Sequence, residues 1–415
     1  MSTIPVARVN AFLLRKQHLL PSARGLELAS VVRDICALHS TAALTPYLSL
    51  IARMRSFRAE HLDAALYQDR SLVRLTCMRS TLHIVPAASM ATFFQATRKA
   101  QRRTEKQLGR MLVESGLCAE GEQAVMLQRL RSRVVQSLAR HGPCTVEELK
   151  DRIPELGARF HYAPDKPYAG TFSVGSQIVP WMCTQGLLVR ARPRGTWRSN
   201  LYEYAGLADW LPGTDLGAVD TLQAKTQLVR CYLAAFGPAS FDDITWWSGL
   251  AKRDVHRALA ALGSEIVEMT IERLGEGFWM LSSESEALCD AADATNGAVC
   301  LLPSLDPYVM GYRDRRRFLP PERHAQVFDR AGNAFATVWI DGKIVGVWRE
   351  MGNRVQMLVW DLPPLPALER EGRRMGRFLV ASHTAHKPRP EDVEVLVGPY
   401  PTDMYVRSPF ALATR

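Results

Sequence analysis

Apolar residues in this chain recur at two spacings, and the points where one gives way to the other divide it into elements. A helical period opens the sequence. Val9, Leu13 and the Leu19-Leu20 pair form one side of a segment over residues 5–20, which Pro21 ends. The same period predicts helices over Leu26 to Leu38, from Pro46 through Leu48, Ile51 and Met54, and over Phe57 to Tyr67. Leu72 to Leu75 and Thr81 to Val85 then read as a pair of strands. Helices followed by a two-stranded hairpin make a winged helix-turn-helix, a common nucleic-acid reader. Ala88 to Leu117 follows as a long basic helix carrying Arg98, Lys99, Arg102, Arg103, Lys106 and Arg110.

A repeat comes next. A helix over 122–140, with Leu127, Leu130, Val134 and Leu138 on one side, runs into HGPCTVEELKDRI. A helix over 219–236, with Leu222, Val229, Leu233 and Phe236, runs into FGPASFDDITWWSGL. Both pass from Gly-Pro into a capping box, Thr145 with Glu148 and Ser240 with Asp243. Each continues into another helix and a strand pair: Leu187 to Arg192 with Leu201 to Tyr204, and Ile266 to Ile271 with Phe278 to Leu281. Tandem winged helices are the economical reading. After Ala291 the period shortens to strands at Ala298 to Leu302, Ala336 to Ile340, Lys343 to Arg349, Val355 to Trp360 and Val393 to Leu396. Asp341-Gly342 marks a hairpin turn and one helix is expected over Pro364 to Thr384, which suggests a compact β-barrel. The expected fold is α+β: winged-helix units over 1–118 (with the basic helix), 119–212 and 213–290, then a small C-terminal β-barrel over 291–415.

Charge narrows the class of partner. The formal net charge is +10, and residues 53–110 alone carry twelve Arg or Lys against four Asp or Glu. Such an excess points to polyanions. The eight cysteines form no C-x-x-C and no short repeated spacing, which argues against a zinc ribbon or a redox pair and favours reduced core thiols. No cleavable leader and no membrane-length apolar run is present, so a cytoplasmic protein is expected.

Four stretches carry candidate chemistry. His39-Ser40-Thr41 precedes the Pro46 helix; it is either an active site or the cap of that helix. Asp34 stands close enough upstream to tune His39, or is a surface residue. Arg79, Thr81 and His83 alternate, which on a strand turns all three to one side. The hairpin tip Arg194-Gly195-Thr196-Trp197-Arg198 suits phosphate tracking and base stacking, unless Trp197 merely packs on the wing. In LLPSLDPYVMGYRDRRRFL, residues Tyr308, Tyr312, Arg313, Asp314 and Arg315 are polar enough to face DNA or to rim the barrel.

The chain resembles the winged-helix DNA glycosylases of the AlkZ/YcaQ type, which unhook interstrand crosslinks and remove alkylated bases. The resemblance spans nearly the whole sequence. It is carried in order by DRSLVRLTCMRSTLHIV, the Gly-Pro-cap segment ending TWWSGL, LLPSLDPYVMGYRDR and IDGKIVGVWR. It implies three winged helices and a barrel around a basic channel, with no metal and no cofactor. The implied partner is double-stranded DNA with alkylated or crosslinked bases, bound by a monomer. The family's catalytic motif, usually Gln-x-Gln or Gln-x-Asp, falls here on His39 and Thr41, a departure from the usual residues. Arg79, Thr81 and His83 fall on its usual MRGTLH block, and Lys343 lies in the IDGKIVGVWR block, among the residues expected to bind DNA. The expected activity is a monofunctional glycosylase acting on bulky N-alkylated purines, and possible crosslink unhooking. The alternative is a non-catalytic DNA-binding protein, motivated by the missing amide and carboxylate.

Overall fold

A computed structural model describes residues 3–98, 102–162, 169–291, 295, 297–361, 365–381 and 392–400. Lys99, Pro364 and residues 382–384 lie outside the described residues. The fold is mixed α+β with several separate sheets. It divides into two compact units. One comprises Met1–Leu62, Ile84–Pro86 and Lys225–Arg415; the other comprises Asp63–His83 and Ala87–Ala224. The first of the four expected segments thus contributes to both. No helix among the described residues is long and apolar enough to cross a membrane.

The first unit starts with Val6–Lys16, whose Val9, Phe12, Leu13 and Leu14 are buried. The short helix Leu28–Asp34 leads into the two-residue strand Leu38–His39 and then the helix Thr45–Arg53, which is buried along its whole length and has Pro46 in its first turn. After residue 225 the unit follows the predicted order closely. Thr221–Phe236 passes through Gly237-Pro238 to Phe241–Ser248, Lys252–Leu262 and the antiparallel pair Ile266–Ile271 and Gly275–Leu281. Thr3–Ile4 adds a parallel strand to the outer edge of that pair. Of the apolar side read on the first of these helices, Val229, Leu233 and Phe236 are fully buried, whereas Leu222 is 51% exposed.

The closed barrel expected at the C-terminal end is not found among the described residues. Five strands form an open sheet in the order Val299–Leu302, Thr337–Ile340, Lys343–Met351, Arg354–Val359 and Glu394–Pro399. The last pairs parallel to its neighbour. A parallel pair needs a crossover rather than a hairpin, and Leu365–Ala381 supplies it, burying Leu368, Met375 and Leu379. Gly346 lies where a Cβ would meet the Leu358 carbonyl oxygen at 2.1 Å, so the glycine of IDGKIVGVWR serves strand packing.

The second unit holds the first copy of the repeat. Met90–Thr97 and Arg102–Glu114 are two helices where one was expected. Leu127, Leu130, Val134 and Leu138 of Gln123–His141 enter the core with Leu149, Trp181 and Met182. The hairpin Leu188–Pro193 with Tyr202–Gly206 closes the unit, and a second hairpin, Arg159–Tyr162 with Gly170–Ser173, precedes the helix Gly175–Thr184.

Both capping boxes form as read. Thr145 accepts from the Glu148 N–H while Glu148 accepts from the Thr145 N–H, and Ser240 and Asp243 repeat the exchange. Each box satisfies two backbone donors that the helix itself cannot. Thr145→Ala is expected to cost about 1 kcal/mol, read as a lower urea midpoint with an unchanged m-value. An unchanged midpoint would show that the cap contributes nothing.

Candidate active site

The His39 triplet is held by the turns on either side of it. The Leu28–Asp34 helix ends at Ile35, and Cys36 follows with φ 69°. The chain then extends through Leu38–His39. His39 is 7% exposed, Ser40 is fully buried and Thr41 is exposed. The Thr41 N–H donates to His39 Nδ1 at 3.4 Å. A neutral imidazole that accepts at Nδ1 carries its proton on Nε2. The triplet does not cap the next helix: the N-cap is Leu44, with no side-chain capping bond. Asp34 does not serve His39 either, because its carboxylate pairs with His18 Nε2 at 3.0 Å.

That next helix is clamped to the LLPSLDPYVMGYRDR block. Thr45 Oγ1 donates to the Ser304 carbonyl at 2.8 Å. Arg53 donates through both terminal nitrogens to Asp306, at 2.8 and 2.7 Å, and Ser49 Oγ donates to the same carboxylate at 2.7 Å. Arg53 and Asp306 are both completely buried. The block read as a DNA-facing loop is therefore largely core. Tyr312 is a correction to the expected DNA contacts: it is fully buried and donates its hydroxyl to the Phe236 carbonyl. Burial also pushes its pKa well up. Arg313 remains on the surface, paired with Asp242 at 2.7 Å. Arg315 stacks over Phe328 at 3.7 Å and donates to the Gly332 carbonyl. Lys343 is exposed. Arg313 and Arg316 border an open cleft of about 490 Å³ with Ser240, Phe241 and Phe278.

In the second unit, Arg79, Thr81 and His83 do not lie along one strand. Met78–Ser80 is a tight turn in which Arg79 and Ser80 have φ of 54° and 62°, and the strand starts only at Leu82. Two successive non-glycine residues in the left-handed region store strain, about 1–2 kcal/mol each. Thr81 Oγ1 turns back to the Met78 carbonyl at 3.0 Å. His83 Nδ1 lies 3.2 Å from the Thr81 carbonyl and 3.6 Å from Cys77 Sγ. Burial pushes the Cys77 thiol up to about 12, which keeps it neutral, and lowers the Arg79 guanidinium from its ordinary value.

Two members of the arginine series are internal. Arg53 holds Asp306, and Arg74, 4% exposed, donates to the Tyr67 hydroxyl and lies over the Tyr202 ring at 5.1 Å. Arg70 stacks on Trp210 at 4.1 Å. On the wing, Arg194 bonds Glu148 and Glu203 at 2.7 and 2.8 Å but stays 51% exposed. Arg198 lies over Trp197 at 5.1 Å, just past Gly195 at φ 85°.

Residues 32–378 match the AlkZ-like DNA glycosylase family. An interstrand DNA cross-link repair glycosylase from Streptomyces sahachiroi is 24% identical over 384 residues, covering 89% of this chain and 95% of that protein. The solved structure of Streptomyces sahachiroi DNA glycosylase AlkZ shares the fold, with a TM-score of 0.69 at 20% identity over 96% of this chain and 100% of that one. The chain belongs to the AlkZ-like family of DNA glycosylases, hydrolases of N-glycosyl bonds.

Proposed function

We propose that this protein is a monofunctional glycosylase that removes bulky N-alkylated purines from duplex DNA and unhooks interstrand crosslinks. One observation carries the reading most. His39 and Thr41 sit in the family's catalytic seats, on a segment clamped through the next helix, and neither is used as a helix cap. The relative's name, a cross-link repair glycosylase, supports the crosslink half. The segments 1–118, 119–212 and 213–290 are read as three winged helices that hold the duplex, with 291–415 beside them, in a cytoplasmic monomer. Arg194, Trp197 and Arg198 are assigned to the wing that follows the backbone, Arg313, Arg315 and Lys343 to further phosphate contacts, and Arg79, Thr81 and His83 to ordering the site.

The chemistry suits a modest catalyst. Alkylation at purine N7 or N3 leaves a cationic base that departs readily, so the protein has to place a water and stabilise the oxocarbenium ion that develops at the sugar. In this reading water displaces the long Thr41 N–H contact at His39 Nδ1, Thr41 orients it, and the ring takes its proton once the new C–O bond forms. No lysine flanks the triplet to form a Schiff base, so the product is an abasic site rather than a nicked strand.

The test is to incubate the protein with duplex DNA containing N7-alkylguanine and score abasic sites. The expected result is abasic sites without strand scission before alkali treatment. Tight, salt-dependent binding with no cleavage would instead identify a binding protein.

A further inference from the structure

Within the first unit, two thiols far apart in sequence meet. Cys36 closes the turn after the Leu28–Asp34 helix, and Cys231 lies in the Thr221–Phe236 helix. Their side chains are hydrogen-bonded, and both are free thiols. Cys36 is buried and Cys231 partly exposed, so an oxidant in solvent reaches the pair through Cys231. Gln227 Nε2, one helical turn earlier, donates to Cys231 Sγ at 3.9 Å.

The backbone at Cys36 makes the contact more telling. Its φ of 69° is the left-handed conformation in which helices commonly end on glycine, which takes it without steric cost. A cysteine there accepts strain, and what its side chain gains is the contact with Cys231. The hydrogen bond with Cys36 holds the Cys231 thiol below its ordinary value against burial, with help from Gln227 and Arg230. A lowered thiol is the more reactive nucleophile of a pair.

We propose that Cys36 and Cys231 form an oxidisable dithiol that hydrogen peroxide closes to a disulfide. The Cys231 thiolate attacks one peroxide oxygen and the O–O bond breaks. Hydroxide leaves and is protonated to water, and Cys231 becomes a sulfenic acid. The Cys36 sulfur, giving up its proton, then attacks the sulfenic sulfur and displaces a second water. Two thiols and one peroxide become one disulfide and two waters. Because Cys36 lies three residues before His39, the disulfide ties the catalytic segment to the Thr221–Phe236 helix. On the reading that His39 is catalytic, oxidation slows base excision and reductant restores it.

The full-length protein is treated with hydrogen peroxide, alkylated and digested, and its peptides are analysed by mass spectrometry. Peptides containing Cys36 and Cys231 are expected to be linked, with two of the eight thiols lost and both recovered after dithiothreitol. Cys231→Ser removes the link. No link, a link between other cysteines, or oxidation of Cys231 to sulfinic acid without linkage overturns the proposal. Linkage that leaves the excision rate unchanged overturns its regulatory half. The linked peptide is read without DNA, so a reduced protein that excises no base counts against the proposed activity alone.

Discussion

Asp306→Ala lowers the stability of this protein by about 3–5 kcal/mol. The carboxylate accepts four hydrogen bonds: two from Arg53, one from Ser49 Oγ and one from the Tyr308 N–H at 3.0 Å. With both ionic partners fully buried, truncating the acid strands a guanidinium that has no water to replace it. The loss extends beyond the pair. Arg53 ends the helix that follows the His39 triplet, and Asp306 precedes the aromatic cluster of Tyr308, Tyr312, Phe318 and Trp339. Chemical denaturation of wild type and variant measures the effect. The double replacement Arg53→Met with Asp306→Leu is expected to recover most of it, because exchanging a whole buried pair for apolar residues is far less costly than breaking one. A single-variant loss below about 1 kcal/mol would mean that the charge finds another partner or reaches solvent.

The Arg53–Asp306 pair also shows where sequence reading stops. Patterns set by neighbouring residues came through. The apolar side of Gln123–His141 and both capping boxes depend on spacings of three and four, and the structure has them where the periodicity put them. Arg53 and Asp306 are 253 residues apart. Nothing local distinguishes an arginine that will be buried from one that will meet phosphate, so Arg53 and Arg74 were read with the exposed arginines. Tyr312 misled for the same reason: its hydroxyl suggests surface until the Phe236 carbonyl is placed beside it. The alternation of Arg79, Thr81 and His83 failed differently. It assumed a strand, and the left-handed backbone at Arg79 and Ser80, conformations that non-glycine residues rarely signal, breaks that strand into a turn. The sheet at the C-terminal end had its strands foreseen but not its closure, which depends on pairing between distant edges. Of the candidate site, the position of the triplet was legible and its hydrogen bonding was not.

His39→Ala is expected to lower the rate of abasic-site formation by about 10²–10⁴-fold, the usual worth of a positioned acid–base group, with duplex affinity nearly unchanged. Removing the ring leaves the Thr41 N–H without its acceptor and the water without a place to leave its proton. The family's usual residues provide the sharper comparison. His39→Gln puts back a carbonyl that can hold the water, and should keep far more activity than His39→Ala. Thr41→Asp adds the negative charge that threonine lacks, at an exposed position where a carboxylate carries little desolvation cost. It should raise the rate above wild type on N7-alkylguanine duplex. Single-turnover kinetics read all three, with binding measured separately so that a lost contact to DNA is not mistaken for lost chemistry. If His39→Ala and Thr41→Asp both cleave at the wild-type rate, the triplet is not the catalytic centre, and the water must be held elsewhere. If Thr41→Asp alone gains, the native His-x-Thr pair is a weakened form of the family's site, suited to lesions whose own positive charge does most of the bond breaking.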